Sequence, residues 1–256
     1  RFIMRQLSLS YANPNSGKNS AIIAWINFGN ISLSPGETLT GLYVKFNDGS
    51  ILSFDLTNTS SSNILLNSTS VPVTSTSSFG YSNYTNISGT PALIADVSNE
   101  SHSALFEISN ISYLNSSGFH INDYTLYIAD LYASNSSENL SGNLQQYITN
   151  GSPWLVEELI GIGSTPSIEI TDESSTPITT FDLNDITNEA ITNSISVADI
   201  TYYNSNTKTP ILSTKSPTII QAYYNNNEYT IIEGFAIGIA FPNPNIFRSR
   251  GINLFR

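Results

Sequence analysis

The stretch "TLTGLYVKFNDGSILSFDL", residues 38–56, decides the fold class of this chain. Two runs of β-branched, aromatic and aliphatic residues flank "NDGS" (47–50). Asp48-Gly49 accepts the positive φ that a tight hairpin turn demands, so the two runs read as paired antiparallel strands. Working outward, the same grammar recurs. "AIIAWINF" (21–28) places Ile22, Ala24, Ile26 and Phe28 on one face of a strand. "SALFEIS" (103–109), "YTLYIADLYA" (124–133), "SIEIT" (167–171) and "SVADITYY" (196–203) read as further strands between clusters of Gly, Pro, Asn and Ser. "TIIQAYY" and "EYTIIEGFAIGIAF" flank "NNN" and predict a late hairpin over 218–241. Its second arm alternates Phe235, Ile237, Ile239 and Phe241 with Ala236, Gly238 and Ala240, as a central strand does. A short helix is expected at "SPWLVEELIG", capped by Ser152, with Pro153 at its first position and Gly161 as its stop. A second helix is expected over 182–195, and the Ser/Thr-rich 57–90 segment as a loop or short edge strands. There is no internal repeat. Many short strands between turns predict an all-β protein, specifically a β-sandwich.

Composition narrows what such a chain can do. Its 256 residues can bury a full core in one or two domains. There is no cysteine, hence no disulfide framework and no thiolate chemistry. Charged residues make up 11%, against roughly 25% in an ordinary soluble domain. None of the nine basic residues lies between Phe46 and Thr207, a span that holds 17 of the 20 acids. Without a basic stripe to neutralise phosphates, nucleic acid is excluded as a partner. The most apolar run, "IIEGFAIGIAF" (231–241), is 11 residues long and interrupted by Glu233, too short to insert across a bilayer as a helix. The chain begins at Arg1 rather than Met, as a processed, exported protein would. Its solvated face is built from Ser, Thr and Asn, which stay polar at any pH and suit acid surroundings.

Catalytic patterns are missing. His102 and His120 have no metal-ligand spacing around them and read as surface or loop residues. Glu157-Glu158 and Asp172-Glu173 are neighbours in sequence, whereas a glycosidase needs carboxylates facing each other at ~5–9.5 Å. No nucleophile elbow, phosphate-binding loop or dinucleotide fingerprint occurs. Asp48 and Asp55 lie near a turn that explains them without calcium, and Trp25 and Trp154 sit inside apolar patterns as core residues do. The chain reads as a non-enzyme with no metal and no cofactor.

One pattern is abundant instead. N-x-[ST] sequons occur at Asn30, Asn58, Asn67, Asn83, Asn86, Asn99, Asn110, Asn115, Asn135, Asn139 and Asn150. Composition alone predicts roughly 5 in residues 1–150 and roughly 2.5 in 151–256, where there are none. Such density and one-sidedness read as covalent N-linked glycans on 30–150 and an extracellular location, with Asn150 the weakest site because Pro153 follows its Ser152.

The amino-terminal end carries the other signal. In "RFIMRQLSLSYANPNSG", Ile3, Leu7, Leu9 and Tyr11 share one side of a strand, with Arg5 an exception among them and Ser8 and Ser10 opposite. "ANPNSG" (12–17) then breaks the pattern with Pro and Gly. An apolar strand beside a linker either opens its own domain's sheet or enters the groove of a neighbouring subunit and completes that one. A cysteine-free chain with eleven sequons and such a strand resembles the subunits of archaeal threads, glycosylated surface filaments of thermoacidophiles. The resemblance implies an immunoglobulin-like or pilin-like β-sandwich head (18–256) led by a donor strand and linker (1–17). It implies polymerisation with identical subunits by donor-strand complementation and, through the filament, adhesion to other cells or surfaces. The bare 151–256 part would be core and intersubunit contact. Residues 1–30 lack the long apolar helix of a type IV pilin, and the bacterial pilin disulfide is missing. The alternatives are a non-filamentous surface-layer or adhesin domain and a secreted acid-stable glycan-acting enzyme.

Overall fold

The computed structural model describes residues 4–12, 22–60, 66–70, 91–96, 102–131, 143–161, 167–171, 177–182, 194–195, 197–203, 208–225 and 232–241. The described residues form an all-β molecule, and no helix occurs among them. The strands are β1 (Arg5–Ala12), β2 (Ile22–Asn27), β3 (Ser32–Leu33), β4 (Thr38–Lys45), β5 (Ile51–Asn58), β6 (Leu66–Ser70), β7 (Pro91–Asp96), β8 (His102–Leu114) and β9 (Thr125–Leu131). They continue as β10 (Asn143–Thr149), β11 (Trp154–Gly161), β12 (Ser167–Thr171), β13 (Pro177–Asp182), β14 (Ser194–Ile195), β15 (Val197–Tyr203), β16 (Lys208–Lys215), β17 (Ile220–Asn225) and β18 (Ile232–Phe241).

The opening hairpin forms as its sequence requires. β4 and β5 pair antiparallel, and Gly49 takes φ 86° in the turn between them. Asp48 Oδ1 accepts the Ser50 amide at 2.9 Å, while the Phe46 amide donates to the Ser50 carbonyl at 2.9 Å.

Hydrogen bonding sorts the strands into two sets. One runs β13-β12-β15-β10-β17-β8-β5-β4, antiparallel throughout. The other runs β14-β11-β16-β9-β18. The free edge of β18 is then shared by β7 and β2, and β7 continues to β6 and β3. β1 joins the sets: Arg5–Leu7 lie parallel to β4, and Ser8–Ala12 antiparallel to β2. The sheet is therefore mixed and closed along one side by β1.

The core gathers inward residues from both sets. Phe106 of β8 meets Phe235 of β18 edge-to-face with centroids 5.1 Å apart, and Tyr147 of β10 meets the same ring at 6.2 Å. Trp154 is fully buried there.

Two sequence expectations fail for one reason, partner choice by tertiary pairing. The segment expected as a helix, 152–161, supplies β11, paired with β16. Its apolar spacing looks helical because a β-bulge between Val156 and Glu158 resets the alternation. The expected late hairpin does not close. β17 pairs with β10 and β8, while β18 pairs with β9, β7 and β2, so these neighbours in sequence lie in different sets. β2 is buried on both faces: Ile23 and Trp25 are 0% exposed along with Ala24, so Trp25 is the core residue its apolar surroundings predict. The second expected helix has its residues 183–193 outside the described residues, and Ser194–Ile195 are strand.

Candidate docking groove of the first strand

β1 lies in a groove bounded by β2 and β4 of its own chain. The alternation read from sequence holds. Leu7 is 4% exposed within the core, and Leu9 and Tyr11 pack partly buried against it. On the outer side, Asn27 Nδ2 donates to the Ser8 and Ser10 hydroxyls at 3.1 and 3.0 Å, and Ser10 Oγ donates to Asn27 Oδ1 at 3.1 Å. Arg5, the charged exception on the apolar side, reaches the Asn30 carbonyl with two guanidinium nitrogens at 3.4 Å. Ile3 lies outside the described residues.

The carboxyl end of β1 docks on the 46–50 turn. Tyr11 is held by burial, which raises its hydroxyl pKa. A hydrogen bond with the Asn47 backbone pulls that pKa down, and the Asp48 charge and Tyr113 add to the rise. Tyr113 is likewise raised, by burial first; the Ser50 hydroxyl at 3.1 Å opposes this and Asp48 reinforces it. Phe46 and Tyr124 stack edge-on against Tyr113 at 5.6 and 5.9 Å. Burial also raises Tyr124, whose hydroxyl donates to the Pro217 carbonyl. Sequence reading gave Tyr11 to the apolar face but did not foresee this aromatic surrounding, because Tyr113 comes from β8 and Tyr124 from just before β9.

The sequons fall into different environments. Asn30, Asn110, Asn115 and Asn150 are exposed. Asn110 sits at φ 50° and donates from Nδ2 to Asp55 Oδ2 at 2.6 Å, while Asp55 Oδ1 accepts the Gly41 amide at 2.9 Å. Asp55 thus braces two register irregularities, one on each side of β5, and its oxygens face amide donors rather than a cation. Asn115 Oδ1 accepts the amides of Ser117 and Phe119, both at 3.0 Å. Asn150 Oδ1 accepts those of Thr218 and Ile219 at 2.9 and 3.0 Å. Asn58 differs. It is 0% exposed, its Nδ2 donates to the Leu33 carbonyl at 2.9 Å, and its Oδ1 accepts the Ser60 amide and hydroxyl. In this fold the Asn58 Nδ2 is enclosed and already bonded, unlike that of an exposed acceptor. Asn67 lies in β6; Asn83, Asn86, Asn99, Asn135 and Asn139 are outside the described residues.

Among the described residues no group of three or more His, Cys, Asp or Glu could hold a metal ion. His120 is exposed, with Ser112 Oγ 3.4 Å from its Nδ1. A hollow of about 300 Å³ opens between β9, β11 and β16, lined by Thr125, Tyr127, Pro153, Leu155 and Lys215 among others. It lies near the 46–50 turn: Ser152 N bonds the Lys215 carbonyl, Ser216 N the Tyr124 carbonyl, and Tyr124 packs on Tyr113, whose hydroxyl meets Ser50.

No known family model matches the chain, and no curated protein is similar to it. Among solved structures it was aligned with infectious bursal disease virus, Gt strain, at 11% identity, covering 97% of this chain and 84% of that one, with a TM-score of 0.12. The Gx strain gives 10% identity over 96% and 84%, with a TM-score of 0.11. Superpositions this loose carry no argument about fold or role.

Proposed function

We propose that this chain is a structural subunit of an extracellular, cell-surface filament, glycosylated within residues 30–150, in which β1 of one copy completes the groove of the next. Read more finely, its head is a β-sandwich of the pilin and immunoglobulin kind. One observation carries the reading: β1 joins the two strand sets, so the groove needs this strand whichever copy supplies it. Leu7 fills the core, and the strand leads into the 12–17 break read from sequence. Exchange of an identical element between copies requires no new contact, and a head-to-tail exchange that does not close propagates as a filament. A second reading is a surface-layer or adhesin domain that remains a monomer; the pairing of β1 within its own chain favours it.

The test is deletion of residues 1–11. The shortened chain should fail to polymerise, and peptide Arg1–Tyr11 added in trans should raise its melting temperature by filling the groove. In the full chain, Leu7→Asp puts a charge into the core and should block assembly, while Ser8→Asp on the outer side should be milder. Filaments formed without residues 1–11 would remove donor-strand assembly through this end.

A further inference from the structure

The two ends of the linker lie side by side. Ala12 at the end of β1 pairs with Ile23 near the start of β2. The same end of the molecule carries the 46–50 turn, the 115–123 loop and the 150–153 and 216–219 connections. Tyr11 meets Asn47 there, a Cβ on Gly49 would lie 3.1 Å from Ser116 Cβ, and Ser216 Oγ donates to the Asn122 carbonyl. Among the described residues at this end one large apolar side chain faces solvent: Phe119, 70% exposed. Its loop is well tied. Asn115 N donates to the Phe119 carbonyl at 2.8 Å, Gly118 N to the Asn115 carbonyl at 2.9 Å, and Ile121 N to the Tyr113 carbonyl at 2.8 Å. With the Asn115 side chain bonding two more amides, the ring is presented on a preorganised tip, and the contact requires the sequons Asn115 on the tip and Asn150 beside the hollow to stay without glycan. The hollow beside Tyr127, Pro153, Leu155 and Lys215 opens at this end too, with room for one phenyl ring.

We propose that Phe119 of one subunit seats in the hollow between β9, β11 and β16 of the adjacent subunit, forming the contact between head domains that accompanies strand exchange. This rests on the filament reading. A donated β1 leaves the acceptor's groove at Ala12, and the donor's own head resumes at Ile22. Ten residue steps of chain span at most about 35 Å. The donating head must therefore stay close to the acceptor end that bears both the aromatic tip and the hollow. Tip and hollow are different patches of one surface, so a copy can offer its tip to one neighbour and its hollow to the other, and the contact then repeats from copy to copy as the strand exchange does. A centrally buried aromatic anchor is the residue type on which such contacts depend most.

The experiment compares full-length chains for assembly by sedimentation and electron microscopy, with circular dichroism confirming the fold. Phe119→Ser removes only an exposed ring, so its melting temperature should be unchanged while the critical concentration for assembly rises about tenfold or more. Phe119→Lys should block assembly by bringing a cation against the neighbour's Lys215, and Phe119→Lys combined with Lys215→Glu should restore it. Unchanged assembly of Phe119→Ser, or no rescue by the double variant, overturns the inference. Leu7→Asp is the separate control: assembly that survives it refutes strand exchange, whatever Phe119 does.

Discussion

Asn58 ends β5 with its side chain wholly enclosed, and its backbone also accepts from Gly36 N and donates to the Glu37 carbonyl. The residue clamps the 33–37 segment to the end of β5 through these backbone bonds and through its Nδ2, which donates to the Leu33 carbonyl. Asn58→Ala should cost about 1–3 kcal/mol, because the Leu33 carbonyl and Ser60 amide lose their buried partner. Glycopeptide mapping of native protein should find Asn58 bare while exposed sequons such as Asn30 carry glycan. A protease other than trypsin is needed, since no Lys or Arg lies between 46 and 207. A glycan at Asn58 would mean that this strand end opens in the native protein. The tyrosines set a second residue-scale expectation. Burial raises the folded-state pKa of Tyr11, Tyr113 and Tyr124, so the folded protein holds these protons more tightly than the unfolded chain. That stabilisation is complete below the unfolded value of about 10 and is lost as pH rises through the raised folded values. Denaturant midpoints should fall above about pH 10, and Tyr113→Phe should flatten that fall.

At the scale of the element, β18 is the strand on which the second set depends. It pairs with β9 on one edge and with both β7 and β2 on the other. Gly238 faces β2 so closely that a Cβ would lie 2.7 Å from Ile23 Cγ2 and 2.8 Å from Trp25 Cε3. Gly238→Ala should therefore destabilise the fold by about 1–3 kcal/mol through overpacking, read as a shifted midpoint with an unchanged m-value. A neutral result would show that β2 can move away from β18 freely. β11 teaches the complementary lesson. Ser152, which looks like a helix cap, accepts the Lys215 amide at 2.7 Å and pins β11 beside β16. Helix propensity and capping pattern are weak preferences that pairing overrides.

For the whole molecule, the described carboxylates of Asp48 and Asp55 accept hydrogen bonds from hydroxyls and amides instead of anchoring cations. Hydrophobic burial and hydrogen bonds between neutral groups carry most of the described fold, with the carboxylates of Asp48 and Asp55 as local braces. Assembled protein should persist at about pH 2–3, where most Asp and Glu are protonated. Dissociation at that pH with recovery at neutrality, followed by light scattering, would assign a larger role to carboxylate contacts.

The sequence by itself determined the β class, the 38–56 hairpin with its Asp48-Gly49 turn, and the inward set Leu7, Leu9 and Tyr11 of the first strand. These depend on two-residue alternation and local turn chemistry, which short windows contain. It also showed where acceptor sequons lie, though not that Asn58 is sealed. Only the tertiary structure decided that β17 and β18 part company, that 154–161 is a bulged strand, and that Tyr11 docks on the 46–50 turn. Each of those is a choice of partner among residues tens or hundreds of positions apart. A strand's pattern states which face is apolar but not which strand will lie beside it, so pairing is settled by the packing of the whole core.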